Sequence, residues 1–150
     1  MKLISNAFKE GEGIPRKYTC DGPNVNPELS FIDVPKEAKS LVLIMDDPDV
    51  PKHLREDGMW DHWIVFNIPP IITHIDEDSE PQGMHGMGTG KNLKYYGPCP
   101  PDREHRYYFK LYALDILLSL PEKSTKKEIE EAMKSHILAK AELMGVYERN

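Results

Sequence analysis

Two histidines, a tyrosine and an aspartate stand where apolar strand patterns break, and their chemistry suits hydrogen bonding to an anion. In LVLIMDDPDV the alternation of Leu41, Leu43 and Met45 runs on to Asp47. In HWIVFNI, His62 comes ahead of Ile64 and Phe66; in HRYYFKLYA, His105 and Tyr107 come ahead of Phe109 and Leu111. Three strands thus carry titratable groups at one end of an apolar row. If those ends meet, they line a small polar pocket at the mouth of the core. Two imidazoles, a phenol and N–H groups from a glycine-rich segment are donors suited to phosphate or carboxylate. Asp47 would accept from one imidazole, fix its tautomer and favour its cationic form. Plainer readings stand beside these: Asp47 or Asp49 can cap the DPDVP turn, and a buried histidine is often only a satisfied core group.

Other chemistries fit less well. Asp47, Asp49, His62 and His105 are all able to ligate zinc, which makes a metal-assisted hydrolase an alternative, but no H-x-x-x-H or similar local spacing supports it. GMGTGKN is like a phosphate-binding P-loop only on the surface: His85 stands where its first glycine belongs, and Asn92 replaces the required Ser or Thr. No serine lies in a G-x-S-x-G elbow, and Cys99 sits among prolines with no helix start to activate it. A donor-rich pocket without a nucleophile reads as a non-enzymatic binding site, with no cofactor expected.

The elements that must position these residues follow from length and pattern. With 150 residues, 39% hydrophobic and 29% charged, the chain suits one domain spanning 1–150, large enough to bury a core. Net charge is −6 and the basic residues are scattered, so nucleic acid is not an expected partner. The first stretch, MKLISNAFKEGEGI, has neither a secretory apolar region nor a membrane span, which predicts a cytoplasmic protein without a transmembrane segment. The two cysteines, Cys20 and Cys99, lie far apart without metal-type spacing, which favours free thiols in a reducing compartment.

Strands are predicted at 41–46, 62–68 and from His105 to about Asp115. In the second, alternation groups His62, Ile64, Phe66 and Ile68 against Trp63, Val65 and Asn67. The glycine- and proline-rich run from Pro81 to Pro101 is too long for an ordinary connection and reads as functional. A helix over about 125–144 is predicted by a T-x-x-E capping box at Thr125 and Glu128, with Ile129, Met133, Ile137, Ala141 and Met144 as its buried stripe and Gly145 as its cap. VYER beyond it is a short strand at most. The balance is a mainly β domain with one late helix.

Six motifs carry a further signal: YTCDG (18–22), DDPDVP (46–51), HWIVFNIP (62–69), YGPCPP (96–101), HRYYF (105–109) and AELMGVYER (141–149). In this order and at about these separations, the chain resembles the phosphatidylethanolamine-binding protein family, its bacterial and archaeal branch most of all, over nearly its whole length. The resemblance implies a large central antiparallel sheet packed with a smaller one, and a helix near the C-terminus. It also implies a small anion-binding pocket lined by Asp47, His62, Pro100, Pro101, His105 and Tyr107, for a phospholipid headgroup, nucleotide or phosphorylated partner. Family members modulate kinases and inhibit serine proteases, so a kinase or a serine protease is an implied protein partner, and a homodimer fits this branch. Both cysteines recur there in loops near the pocket, which raises a Cys20–Cys99 disulfide as the alternative to free thiols. Departures are Arg103, where the family's G-x-H-R has glycine, and Asn26, Glu28 and Phe31, where serine, proline and tryptophan are common. Asp61 precedes His62 where eukaryotic members often have another histidine, which agrees with the prokaryotic branch.

Overall fold

Strands β3 (Ser40–Asp47) and β4 (Trp60–Ile68) are apolar almost without a break because both faces of their sheet are covered. The computed structural model describes residues 1–150. Around these two it places β1 (Lys2–Ile4), β2 (Leu29–Ile32), β5 (His74–Ile75), β6 (Met84–His85), β7 (His105–Leu114), α1 (Lys126–Met133) and β8 (Ile137–Tyr147). Five strands form one antiparallel sheet in the order β6-β4-β3-β7-β8, and β1-β2-β5 form a second, smaller one.

One face of the large sheet presents Leu41, Leu43, Met45, Trp63, Val65, Phe109 and Leu111 to Leu3, Leu29 and Phe31 of the small sheet. The other presents Val42, Ile44, Ile64 and Phe66 to Ile129 and Met133 of α1. Each fully buried side chain of this size contributes about 1.5–3 kcal/mol, so both layers matter to stability. The mainly β, two-sheet architecture with one helix agrees with the sequence expectation.

The helix itself is shorter than predicted. The capping box is present: Glu128 N–H donates to Thr125 Oγ1 and Thr125 N–H donates to Glu128 Oε1. But α1 ends at Met133, Ser135 takes a positive φ of 68°, and residues 137–147 form an edge strand rather than helical turns. Ten residues of β8 pair with β7, from His105↔Tyr147 to Leu114↔Ile137. Gly145 is therefore no helix cap. It lies opposite Tyr107, where a Cβ would come within 2.7 Å of Phe8 and 2.6 Å of Ile14.

The face assignment in β4 also needs correction. Asn67 has a positive φ of 53° and clasps Leu118, donating to its carbonyl and accepting from its N–H. That kink, with a register shift against β3, returns Ile68 to the face of Trp63 and Val65 rather than that of Ile64 and Phe66.

Candidate functional site

The ends of β3, β4 and β7 meet, and a bulge decides what they present. Met45 pairs with Trp63, but the next pair is Asp46 with Asp61, so His62 is the extra residue. Simple alternation would send His62 to the helix side with Ile64 and Phe66. The bulge turns it to the opposite side, edge-on to Tyr107 with ring centroids 5.4 Å apart.

The glycine-rich segment holds that bulge in place. Thr89 N–H donates to Asp61 O and Thr89 Oγ1 accepts from Asp61 N–H, while Asn92 Nδ2 donates to His62 O. A Cβ at Gly88 would stand 2.7 Å from Asp61 O, so only glycine fits so close to the strand. The segment thus works as a strap along β4 beyond its short pairing with β6, and its continuation, from Tyr96 to Pro101, supplies a wall of the site.

The polar groups divide into a wall and a support behind it. Nδ1 of His62 lies 2.7 Å from the Tyr96 carbonyl and must donate to it, leaving Nε2 with no protein partner. Burial is the main cause of a lowered His62 pKa, outweighing the Tyr96 hydrogen bond and the Asp47 and Asp46 charges that oppose it. Tyr107 is fully buried, and its Oη makes no hydrogen bond of good geometry, although Asp47 and the Cys99 backbone lie close enough to influence it. Burial, and then the nearby Asp47 charge, raise its pKa far above the usual tyrosine value.

Asp47 does two things at once. Its Oδ1 accepts from Asp49 N–H at 2.7 Å, capping the turn, and its Oδ2 lies 2.7 Å from His105 Nδ1. His105 Nε2 lies 2.6 Å from Asp102 Oδ1. Both ring nitrogens therefore face carboxylates, an arrangement that a doubly protonated ring satisfies with two N–H donors. Burial works to raise the Asp102 pKa, but the His105 hydrogen bond, the Arg103 N–H and both charges bring it down.

A cavity of about 240 Å³ opens here, lined by Asp47, Val50, Leu54, Trp60, His62, Tyr96, Cys99, Pro101 and Tyr107. Of the residues expected from sequence, Asp47, His62, Pro101 and Tyr107 line it. Pro100 is buried behind, and His105 is fully buried as a tether between β3 and the loop before β7. Asp49 turns away to a two-pronged pair with Arg106, so Asp47, Asp49, His62 and His105 do not converge as the metal-assisted alternative required. Asp102 went unread in the sequence, although an acid three residues before a strand-opening histidine is a signal for such a contact. Val50, Leu54 and Trp60 were also missed, since apolar rim residues carry no chemical signature. Cys20 and Cys99 are joined as a disulfide in the structure.

Comparison with known proteins gives a consistent picture. The family model described as phosphatidylethanolamine-binding protein matches residues 4–148. The chain is 53% identical over 150 residues to a UPF0098 protein of Chlamydia trachomatis, covering 100% of both, and 46% identical over 158 residues to a UPF0098 protein of Methanothermobacter thermautotrophicus, covering 99% of each. Among solved structures, it matches a phosphatidylethanolamine-binding protein homolog from Chlamydia trachomatis at TM-score 0.96 and 52% identity, covering 99% of this chain and 97% of that one. It matches YbcL of Escherichia coli at TM-score 0.88 and 29% identity, covering 99% and 98%.

Proposed function

We propose that this chain, which belongs to the phosphatidylethanolamine-binding protein family, is a non-enzymatic binding protein whose cavity takes a phosphate-type or carboxylate group. The observation that carries this reading is that two residues lining the cavity each keep a polar atom without a well-formed protein hydrogen bond, Tyr107 Oη and His62 Nε2. A bound oxyanion would accept from the phenol, and from Nε2 once the imidazole is charged. The carboxylate–His105–carboxylate tether supports the reading by fixing Asp47 and the loop of Asp102 without using the wall atoms. Leu54 and Tyr96, 55% and 44% exposed, give the mouth an apolar rim, which suits a phosphate carried on an organic group such as a lipid headgroup or nucleotide.

The pH dependence has a defined sign. Burial keeps His62 neutral, and a bound anion would offset that cost, so binding takes up a proton and tightens as pH falls. The test is an NMR titration of labelled protein with phosphate and with O-phosphoethanolamine at about pH 6 and pH 8, on either side of the ordinary imidazole value. Expected are saturable shifts at His62, Cys99 and Tyr107, larger in affinity at the lower pH and absent in His62→Ala. No saturable shift in the wild-type protein at either pH would end the anion-pocket reading. Stronger binding of O-phosphoethanolamine than of phosphate would assign the apolar rim to the organic part.

A further inference from the structure

The disulfide partners differ in what they face. Cys99 lines the cavity and Cys20 does not, although both are half-buried. The segment that carries Cys99 is also the pocket wall: Tyr96 fixes His62 through its carbonyl, and Tyr96 and Pro101 line the cavity. Three hydrogen bonds fasten that wall to residues 18–24 independently of sulfur. Cys20 N–H donates to Pro98 O at 3.1 Å, Tyr95 Oη to Tyr18 O at 2.7 Å, and Gly97 N–H to Asn24 Oδ1 at 2.8 Å. Opening the bond would therefore leave the wall attached, with Cys99 still part of the cavity lining.

We propose that Cys99 Sγ is a thiol-exchange site reached through the pocket, with a small neutral thiol as the reactant. The incoming thiolate bonds to Cys99 Sγ, the bond between the two cysteines breaks, and Cys20 leaves as a thiolate that then takes a proton. A second thiolate removes the first as a small disulfide, leaving Cys99 as a thiolate; two thiols are oxidised and one protein disulfide is reduced. Attack falls on Cys99 because it is the half of the disulfide that lines the open cavity, whereas Cys20 lies outside it, and access decides which sulfur an incoming thiolate reaches. Small thiols are the abundant reactant such a bond meets in a reducing compartment such as the cytoplasm.

A ligand in the cavity covers the approach to Cys99, and an adduct on Cys99 occupies the ligand's space. The two events therefore oppose one another by the same factor in each direction. This linkage rests on the anion-pocket reading; the exchange site does not.

The test begins with wild-type protein treated briefly with 2-mercaptoethanol, quenched in acid, alkylated and peptide-mapped. The expected first product carries mercaptoethanol on Cys99 and the alkyl group on Cys20, in excess over the reverse by roughly tenfold or more. Mercaptoethanol mapped mainly to Cys20 would overturn the proposal. Because the wild-type bond can re-close, Cys20→Ser is treated in parallel with bis(2-hydroxyethyl) disulfide. An adduct on Cys99 is expected, and a protein folded by circular dichroism that forms none would overturn the assignment. Saturating inorganic phosphate is expected to slow the adduct by about fivefold or more, the lower end of usual couplings. A Cys99 adduct that forms at the same rate with phosphate present supports the exchange site and counts against the anion reading alone.

Discussion

Tyr107→Phe removes one buried oxygen and leaves the ring that packs between the sheets. Tyr107 is 0% exposed, with its ring edge-on to His62, and its Oη has no partner at hydrogen-bond geometry. A buried hydroxyl left unpaired costs about 1–3 kcal/mol, so phenylalanine should be the more stable residue here. A gain of about 1–2 kcal/mol in a chain of this length corresponds to a rise in Tm of roughly 2–8 °C. Phosphate binding should move the other way. Losing one hydrogen bond to a charged ligand costs about 1.5–3 kcal/mol, a loss of roughly tenfold to hundredfold in affinity. Urea denaturation and calorimetry measure the first effect, and the NMR titration measures the second. Asp47 already influences this hydroxyl through its charge. If Tyr107→Phe instead destabilises the protein by about 1 kcal/mol, the hydroxyl donates to Asp47 in solution and is no free donor. If stability rises but phosphate affinity stays the same, Tyr107 plays no part in recognition.

Gly145→Ala should lose about 1–3 kcal/mol by overpacking, because its Cβ would stand 2.6 Å from Ile14 Cγ1 and 2.7 Å from Phe8 Cε2; a lower urea midpoint with an unchanged slope is the expected result, and an unchanged midpoint would show that the N-terminal segment gives way freely. Asp49→Asn addresses acid stability. Hydrogen bonds from Arg106 are the largest cause holding the Asp49 carboxyl down at about 2. Its folded value lies below the unfolded value of about 3.9, so its contribution is complete above that point and fades as pH falls toward 2. The variant should be less stable near neutrality and lose stability less steeply between about pH 4 and pH 2 in urea titrations; parallel curves for both proteins would contradict the pairing.

Where an apolar run is continuous or an alternation unbroken, the sequence was a sufficient guide to the strands. β3 and β7 were found within a residue or two because Leu41 to Met45 and Phe109 to Ala113 pack on both sides of one sheet. The C-terminal strand was lost to propensity. AKAELM is composed of good helix formers, and Ile137, Ala141 and Met144 fall on a helical stripe. The same stretch also has apolar or small residues at 137, 139, 141, 143, 145 and 147, a period of two that β7 rewards with a ladder of ten pairs. Partner strands decide such cases, and a partner is not visible in a local window. The short strands β1, β2, β5 and β6 were missed because two to four residues carry too little pattern to be read.

The pocket raises a subtler point, because His62 was named for a reason that the structure does not support. Phase counting grouped it with Ile64 and Phe66, which face α1; had the strand been regular, His62 would lie across the sheet from Asp47 and Tyr107. It reaches the cavity only because one residue is inserted between the Asp46↔Asp61 and Met45↔Trp63 pairs. That insertion depends on contacts from residues 28 and 30 positions away, Thr89 on Asp61 and Asn92 on His62, with Gly88 small enough to let the strap approach. The motif resemblance pointed to a residue that lines the cavity because it compares whole arrangements, whereas periodicity sees one strand at a time. Asp102 shows the reverse: it lies three residues from His105, so a local rule could have found it, yet nothing in the alternation of β7 asks for a second carboxylate. The tether it completes leaves the imidazole of His105 closed off on both nitrogens, and so, if the cavity takes the proposed anion, its donors must come from His62 and Tyr107.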